Sequence, residues 1–196
     1  TAPLDMARIH TIVTEACEGL SDVSVDAILD EAMRNLYDGV ALSDINTSLV
    51  ITARTLVEKE PNYSYATARL LQDKLRAEAL GFLGIAEQAT HHEMAHYYAQ
   101  ALPAYIEKGI ELELLAPSLR NFDIPALGKA LDHTRDSQFT YLGLQTLYDR
   151  YFIHSNDVRI ELPQIFFMRV AMGLAVEEDK PTERAIEFYR LLSSFD

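Results

Sequence analysis

Cysteine is almost absent from this 196-residue sequence, and tryptophan is absent altogether. A single cysteine, Cys17, excludes an intrachain disulfide and a redox-active cysteine pair. Its apolar neighbours Ala16 and Leu20 favour a small thiol packed in or near the core over a nucleophile. Because the chain has no disulfide to form, a reducing compartment suits it, and we predict a cytoplasmic location.

Positive charge is also scarce in the sequence. Asp and Glu number 30 against 17 Lys and Arg, which gives a net charge of −13 and a pI near 4.8. An acidic chain repels phosphate backbones and anionic lipids, so we predict no nucleic-acid and no membrane partner. No run reaches the roughly 18 apolar residues of a membrane span, and the opening TAPLDMARIH lacks the features of a signal peptide. The first residue, Thr1, indicates a piece of a longer protein.

The sequence also lacks motifs that are typical of an active site. The eight glycines are dispersed and form no phosphate-binding loop. Ser193 and Ser194 lack the context of a nucleophile elbow. The residues alone therefore predict no recognisable catalytic site.

Helical periodicity dominates what is present. Apolar residues recur at three- and four-residue spacing, and Ser, Gly and Pro mark the ends of the segments. The segment YFIHSNDVRIELP instead shows two short β-type runs, which predict one small β-hairpin near residues 151–161. One of the helices contains Pro103 and is expected to bend or end there. The predicted helices cover residues 4–20, 24–39, 41–61, 62–82, 91–109, part of 116–131, 137–151, 162–178 and 181–195.

The segment HHEMAHYYAQ contains the letters H-E-x-x-H, the zinc signature of many metalloproteases. On a helix, His92 and His96 would project from one face, and Glu93 would be placed to polarise a metal-bound water. A catalytic zinc needs a third ligand, but the extended motif would require Gly and His where Ala99 and Leu102 stand. We therefore interpret the three residues as polar positions on an amphipathic helix and predict no metal site. A helical zinc metallohydrolase remains an alternative.

Three segments near the C-terminus follow one another in a recognisable order: FTYLGLQTLYDRYF, ELPQIFFMRVAMGLA and ERAIEFYRLLSSF. They resemble the N-terminal helical domain of the large (α) subunit of bacterial class I ribonucleoside-diphosphate reductase. Upstream, LDMARIHTIVTEACEGL, LYDGV, LSDI and PNYSYATARLL resemble the helical part of the ATP-cone, the family's small domain that senses ATP against dATP. The resemblance implies a mainly α, multi-helix bundle, with an ATP-cone remnant at 1–81 and the N-terminal helical domain at 82–196.

The resemblance also implies that the effector site is degenerate. Arg8 occupies the place of a basic residue that contacts phosphate in such cones. Leu42 and Asn46 stand where the closest type of functional cone has Thr and His, and Ala77 lies near an expected Lys. The replacements remove a hydroxyl, an imidazole and a positive charge, and each loss weakens charge-assisted phosphate binding. We therefore expect no nucleotide-binding and no catalytic residue in this chain.

The resemblance finally implies a parent enzyme with known kinds of partner. That oxidoreductase converts ribonucleoside diphosphates to deoxyribonucleoside diphosphates for DNA synthesis, with ATP and dATP as effectors. Its partners would be the catalytic barrel of the same α chain, a second α subunit in a homodimer, and a small β subunit with a dimetal radical cofactor. We expect this chain to be a structural and regulatory region that holds no cofactor and is inactive in isolation. A generic helical interaction module is the remaining alternative.

Overall fold

The chain folds mainly into α-helices, which confirms the fold class that the periodicity predicts. The computed structural model describes residues 4–34, 36, 39 and 41–195, without the side chains of residues 42 and 43. Two short 3-10 turns, at Pro117–Asn121 and His133–Gln138, interrupt the helical sequence. The helices are α1 (Met6–Cys17), α2 (Val25–Met33), α3 (Leu42–Leu56), α4 (Tyr63–Phe82), α5 (Met94–Glu111), α6 (Ile124–Ala130), α7 (Tyr141–Arg150), α8 (Pro163–Ala175) and α9 (Pro181–Ser194).

One small antiparallel hairpin follows α7. Strand β1 (His154–Ser155) pairs with β2 (Val158–Arg159), and the first residue of each strand lies opposite the last residue of the other. The loop residues Asn156 and Asp157 have φ angles of 49° and 64°. Two successive positive φ angles are what a two-residue type I′ turn requires, and Asn and Asp tolerate them better than most residues. The predicted hairpin is confirmed.

The helix predicted over 91–109 differs from α5 at both ends. α5 begins at Met94, after a turn formed by residues 91–93. It continues through Pro103 to Glu111. Of the two expectations for this proline, the end of the helix is wrong, and the bend stays a prediction. Proline removes one backbone donor, but Leu102 and Ile106 on either side are buried, and their packing outweighs that loss.

The chain folds into two compact units. Unit 1 comprises the residues up to Leu75 together with Ser137–Tyr151, and unit 2 comprises Arg76–Asp136 together with the residues from Phe152 onward. Helix α4 contributes residues to both units. The division of the sequence into domains at 1–81 and 82–196 stays a prediction.

The core of unit 1 follows from amphipathic spacing. Helix α1 buries one stripe of residues at i, i+3, i+4, i+7 and i+8, which is the face that a core-packed helix presents. Cys17 lies on this stripe, and burial raises the pKa of its thiol to about 11. The predicted core position of the cysteine is therefore confirmed. The stripe consists of Ile9, Ile12, Val13, Ala16 and Cys17.

The core of unit 2 is built around the packed pair α8 and α9. Helix α8 is apolar along most of its length and buries eight of its 13 residues. Helix α9 contributes Ala185 and Tyr189, both fully buried. No helix in the described ranges is both long enough and apolar enough to cross a membrane.

Candidate functional site

Arg8, the predicted remnant of a phosphate contact, lies on the first turns of α1 in unit 1. Its Nη2 is 2.8 Å from Oδ1 of Asp73 on α4. The Arg8 side chain is 15% exposed and that of Asp73 is 2% exposed. An ion pair this far from water is hard to separate, since either partner alone would be left as a buried charge. Arg8 is thus neutralised by a carboxylate that the sequence analysis did not single out.

The other three positions of the predicted degenerate site differ in their surroundings. Asn46 lies on α3 in unit 1, is 3% exposed, and its Oδ1 is buried without a hydrogen-bond donor among the described residues. Leu42 begins α3, but its side chain lies outside the described part of the chain. Ala77 lies on α4 in unit 2 and is half-buried. The described partner of Arg8 is therefore Asp73 and none of these three residues.

A second cation of unit 1, Arg69, donates hydrogen bonds to backbone carbonyls. Its Nη1 donates to the carbonyl oxygens of Ala16 and Glu18, at 3.2 Å and 2.7 Å, and its Nη2 donates to that of Ser137 at 3.5 Å. The first two carbonyls lie at the C-terminal end of α1, where a cation satisfies acceptors that have no partner within the helix. Arg69 therefore acts as a helix cap in this structure.

The H-E-x-x-H residues do not share one helix face, because His92 and Glu93 precede α5. Glu93 Oε2 accepts hydrogen bonds from the backbone N–H and the hydroxyl of Thr90, at 2.8 Å and 2.9 Å. Glu93 thus reaches back three residues and holds the turn that precedes α5. His96 Nε2 is 2.5 Å from the side-chain nitrogen of Gln100. Within the described ranges, no three His, Cys, Asp or Glu side chains are grouped as a metal site would require.

A buried hydrogen-bond cluster in unit 2 centres on Asp136. Gln164 Nε2 donates to its Oδ1 and the Tyr98 hydroxyl donates to its Oδ2, both at 2.7 Å. Gln164 in turn accepts from the Tyr189 hydroxyl at 2.8 Å, and Tyr189 accepts from the backbone N–H of Asp132 at 2.9 Å. Every donor in this series of hydrogen bonds points towards the carboxylate, which is the arrangement that an ionised Asp136 requires. The cluster connects α5, α8, α9 and the 3-10 turn at His133–Gln138.

The environment of Asp136 disfavours its charge despite these donors. Burial raises the pKa of the carboxyl from 3.8 to about 6, while the hydrogen bonds from Gln164 and Tyr98 and the charge of Arg76 oppose the rise. Burial, and then the neighbouring carboxylate, raises the pKa of Tyr98 well above its ordinary value. Asp136 is therefore the group in this cluster that titrates closest to neutral pH.

A second cluster in unit 2 surrounds the fully buried Glu161. Its Oε1 accepts from the Tyr105 hydroxyl at 2.6 Å and from Arg169 Nε at 2.5 Å. Its Oε2 accepts from Arg169 Nη2 at 3.2 Å and from the backbone N–H of Ile153 at 3.0 Å. Burial acts to lower the pKa of Arg169, but Glu161 outweighs it and the pKa is raised. The carboxylate thus ties α5 and α8 to the segment that leads into the hairpin.

Two family models match the chain. The ATP cone domain matches residues 1–78, and the ribonucleotide reductase all-alpha domain matches residues 137–196. The protein is therefore an ATP cone combined with the all-alpha domain of a ribonucleotide reductase. The resemblance described from the sequence is confirmed.

Similar proteins extend this result to the whole chain. The α subunit of ribonucleoside-diphosphate reductase from Chlamydia trachomatis serovar D is 42% identical over all 196 residues. The α subunit from Helicobacter pylori is 33% identical over 99% of the chain, and the large subunit from Danio rerio is 29% identical over 95%. Along its whole length the chain is therefore similar to ribonucleoside-diphosphate reductase α subunits. It spans between 18% and 23% of the length of these three relatives.

Proposed function

We propose that this chain is the part of a ribonucleoside-diphosphate reductase α subunit that combines a degenerate ATP cone with the N-terminal helical domain. The boundary between these two domains falls near residue 81, and the role of the chain is structural and regulatory. The observation that carries the proposal is the 42% identity to one such α subunit along the full length of the chain. In this role the chain contributes no catalytic residue and is inactive in isolation.

The parent enzyme reduces ribonucleoside diphosphates to deoxyribonucleoside diphosphates. Its partners are the catalytic barrel of the same chain, a second α subunit and a β subunit with a dimetal radical cofactor. ATP and dATP are its effectors, the cytoplasm is its compartment, and neither nucleic acid nor a membrane is among its partners. Sequencing the gene beyond Asp196 tests this parentage. A continuation that encodes a cysteine-containing barrel is expected, and an immediate stop codon would contradict the proposal.

The cone of this chain acts as a packing module and binds no effector. The Arg8–Asp73 pair supports this, because Arg8 already has a buried carboxylate as its counter-charge. Titration of the chain with ATP and with dATP in a calorimeter tests the proposal, with a functional cone of the family as the positive control. We expect no heat beyond dilution, and binding at micromolar concentration would contradict the degenerate site.

The competing metallohydrolase hypothesis has a separate test. The Glu93 carboxylate accepts two hydrogen bonds from Thr90 in the turn before α5, which supports a structural role for it. Metal analysis of the purified chain after dialysis is expected to find no stoichiometric zinc. Retained zinc that is lost in His92→Ala and His96→Ala variants would favour the hydrolase.

A further inference from the structure

The ion pair between Arg8 and Asp73 leaves part of the guanidinium without an acceptor among the described residues. It consists of one described contact, between Nη2 and Oδ1. The Nε of Arg8 is buried and has no acceptor among the described residues. A guanidinium has five N–H donors in a planar fork and binds carboxylates and phosphates best through two parallel hydrogen bonds. The contact with Asp73 therefore uses only part of the binding capacity of Arg8.

We propose that Asp73 is a built-in competitor for anions: its carboxylate takes the place of a phosphate at Arg8 and keeps the degenerate cone closed. This inference rests on the proposed function, since it explains what closes the site in that cone. In this proposal Asp73 excludes phosphate from Arg8, an effect separate from the absence of the expected Thr, His and Lys. The site is closed by an added negative charge as well as by lost donors.

The electrostatics of the pair favour such competition. A phosphate that approached Arg8 would meet the like charge of Asp73 within a few ångströms, in surroundings where charges are weakly screened. If the phosphate displaced the carboxylate, the buried Asp73 would lose its contact with the guanidinium of Arg8, which is costly. The carboxylate also belongs to the same chain, so its effective concentration at Arg8 exceeds that of a dissolved anion.

A purely structural ion pair between α1 and α4 makes a different prediction. In that case, neutralising Asp73 would lower the stability of unit 1 and would create no affinity for anions. If Asp73 is a competitor, the same change leaves a buried guanidinium that gains from any phosphate that reaches it. The two interpretations therefore differ in anion binding and not merely in stability.

The test compares the chain with its Asp73→Asn variant, which keeps the side-chain shape and removes the charge. Tripolyphosphate and ATP are titrated separately, with thermal unfolding and calorimetry as the two measurements. We expect both to raise the Tm of the variant and to bind it about tenfold more tightly than the unchanged chain, in line with one charge-assisted contact. The double variant Arg8→Gln/Asp73→Asn is the matched control and should lose this gain. Binding of ATP without tripolyphosphate would show that the base contributes more than the phosphates, and would overturn an anion site at Arg8.

The remaining outcomes are also decisive. If Asp73→Asn folds and binds neither anion, Asp73 is a structural partner and the inference is wrong, while the degenerate cone still stands. If the unchanged chain binds ATP at micromolar concentration, the proposed function is contradicted instead. If Asp73→Asn and Asp73→Ser both fail to fold, added tripolyphosphate should restore their helical circular dichroism, because it replaces the missing charge. Failure to restore it would refute the competition.

Discussion

In unit 2, the carboxylate of Glu161 accepts four hydrogen bonds, from Tyr105, Arg169 and the backbone of Ile153. In unit 1, the corresponding buried pair, Arg8 with Asp73, has a single described contact and leaves the Nε of Arg8 buried without an acceptor. Asn46 of unit 1 likewise has a buried Oδ1 without a donor among the described residues. The buried polar groups of the two units are thus satisfied to different degrees.

Under our proposal, this difference distinguishes a scaffold in unit 2 from a former ligand site in unit 1. A buried donor or acceptor without a partner costs about 1–3 kcal/mol, so folding by itself gives no reason to keep one. Complete satisfaction at Glu161 is what a residue that fixes helix positions requires. Incomplete satisfaction at Arg8 and Asn46 agrees with our proposal that unit 1 derives from an effector site that has lost its ligand. Four variants or measurements test this comparison, and their expected effects decrease in the order given.

Arg169→Met should be the most damaging of these changes. It leaves Glu161 fully buried without its cation, and we expect the free energy of unfolding to fall by about 3 kcal/mol or more. Guanidinium denaturation followed by circular dichroism measures this. Arg120→Met is the matched control, because Arg120 pairs with Glu107 in an exposed ion pair. Equal losses in the two variants would show that the Glu161 cluster has no special role in the scaffold.

Stability should depend on the ionisation of Asp136. Its pKa in the folded chain, about 6, lies above the ordinary value of 3.8, so the folded state binds a proton in that interval that the unfolded state does not. The stabilisation that the folded state gains from the proton on Asp136 is complete below pH 3.8. It is lost as the pH rises through about 6. We expect unfolding to require on the order of 2–3 kcal/mol more in acid than above neutral pH from this group alone. In Asp136→Asn that difference should shrink, and an unchanged pH dependence would assign it to other groups.

Tyr189→Phe tests whether the chain of hydrogen bonds around Asp136 acts as a connected whole. The change removes the donor to Gln164 and the acceptor for the backbone N–H of Asp132. We expect a loss of about 1–2 kcal/mol in urea denaturation, because the fully buried Gln164 loses its donor and the part-buried N–H of Asp132 loses its acceptor. Tyr151→Phe, at a residue that is 57% exposed, should have no measurable effect. A neutral Tyr189→Phe would mean that water replaces the hydroxyl.

The smallest effect is expected at Cys17, and it concerns only the reactivity of the thiol. With a pKa of about 11 in the folded chain, its thiolate fraction near neutral pH is far below that of an ordinary cysteine. We expect slow labelling by a disulfide reagent in buffer and rapid labelling in denaturant, followed by absorbance. Equally fast labelling in both conditions would show that α1 opens readily and that unit 1 is less firmly packed than its buried core indicates.

Much of the fold could be predicted because it depends on local patterns. The three- and four-residue spacing in α1 and the dipeptide Asn156-Asp157 at the hairpin turn each act through nearby residues. The start of α5 was misplaced because residues 91–93 form a turn, held by hydrogen bonds between Thr90 and Glu93, that helical periodicity does not reveal. The continuation of α5 through Pro103 was missed because the packing of its neighbours outweighs the local preference of proline.

The site was less predictable than the fold. The resemblance to the reductase family pointed to Arg8 and Asn46, but nothing in the order of residues pointed to Asp73, 65 positions away from Arg8. Gln164 and Glu161 gave a weak signal, since both are polar residues beside the apolar run IFFMRV. Their partners Tyr98 and Tyr105 resemble ordinary core aromatics until their hydroxyl groups are placed.

From the sequence alone follow a mainly helical, acidic chain, its resemblance to the reductase α subunits, and the prediction that its cone lacks the expected phosphate ligands. The packing of the helices sets which carboxylate faces Arg8, which donors surround Asp136 and Glu161, and which of the described polar atoms remain without partners. The physical reason is the separation along the sequence between the residues that make each contact. Helices and turns arise from contacts a few residues apart, whereas the pairing of buried charges depends on how distant helices pack, and no local pattern specifies that.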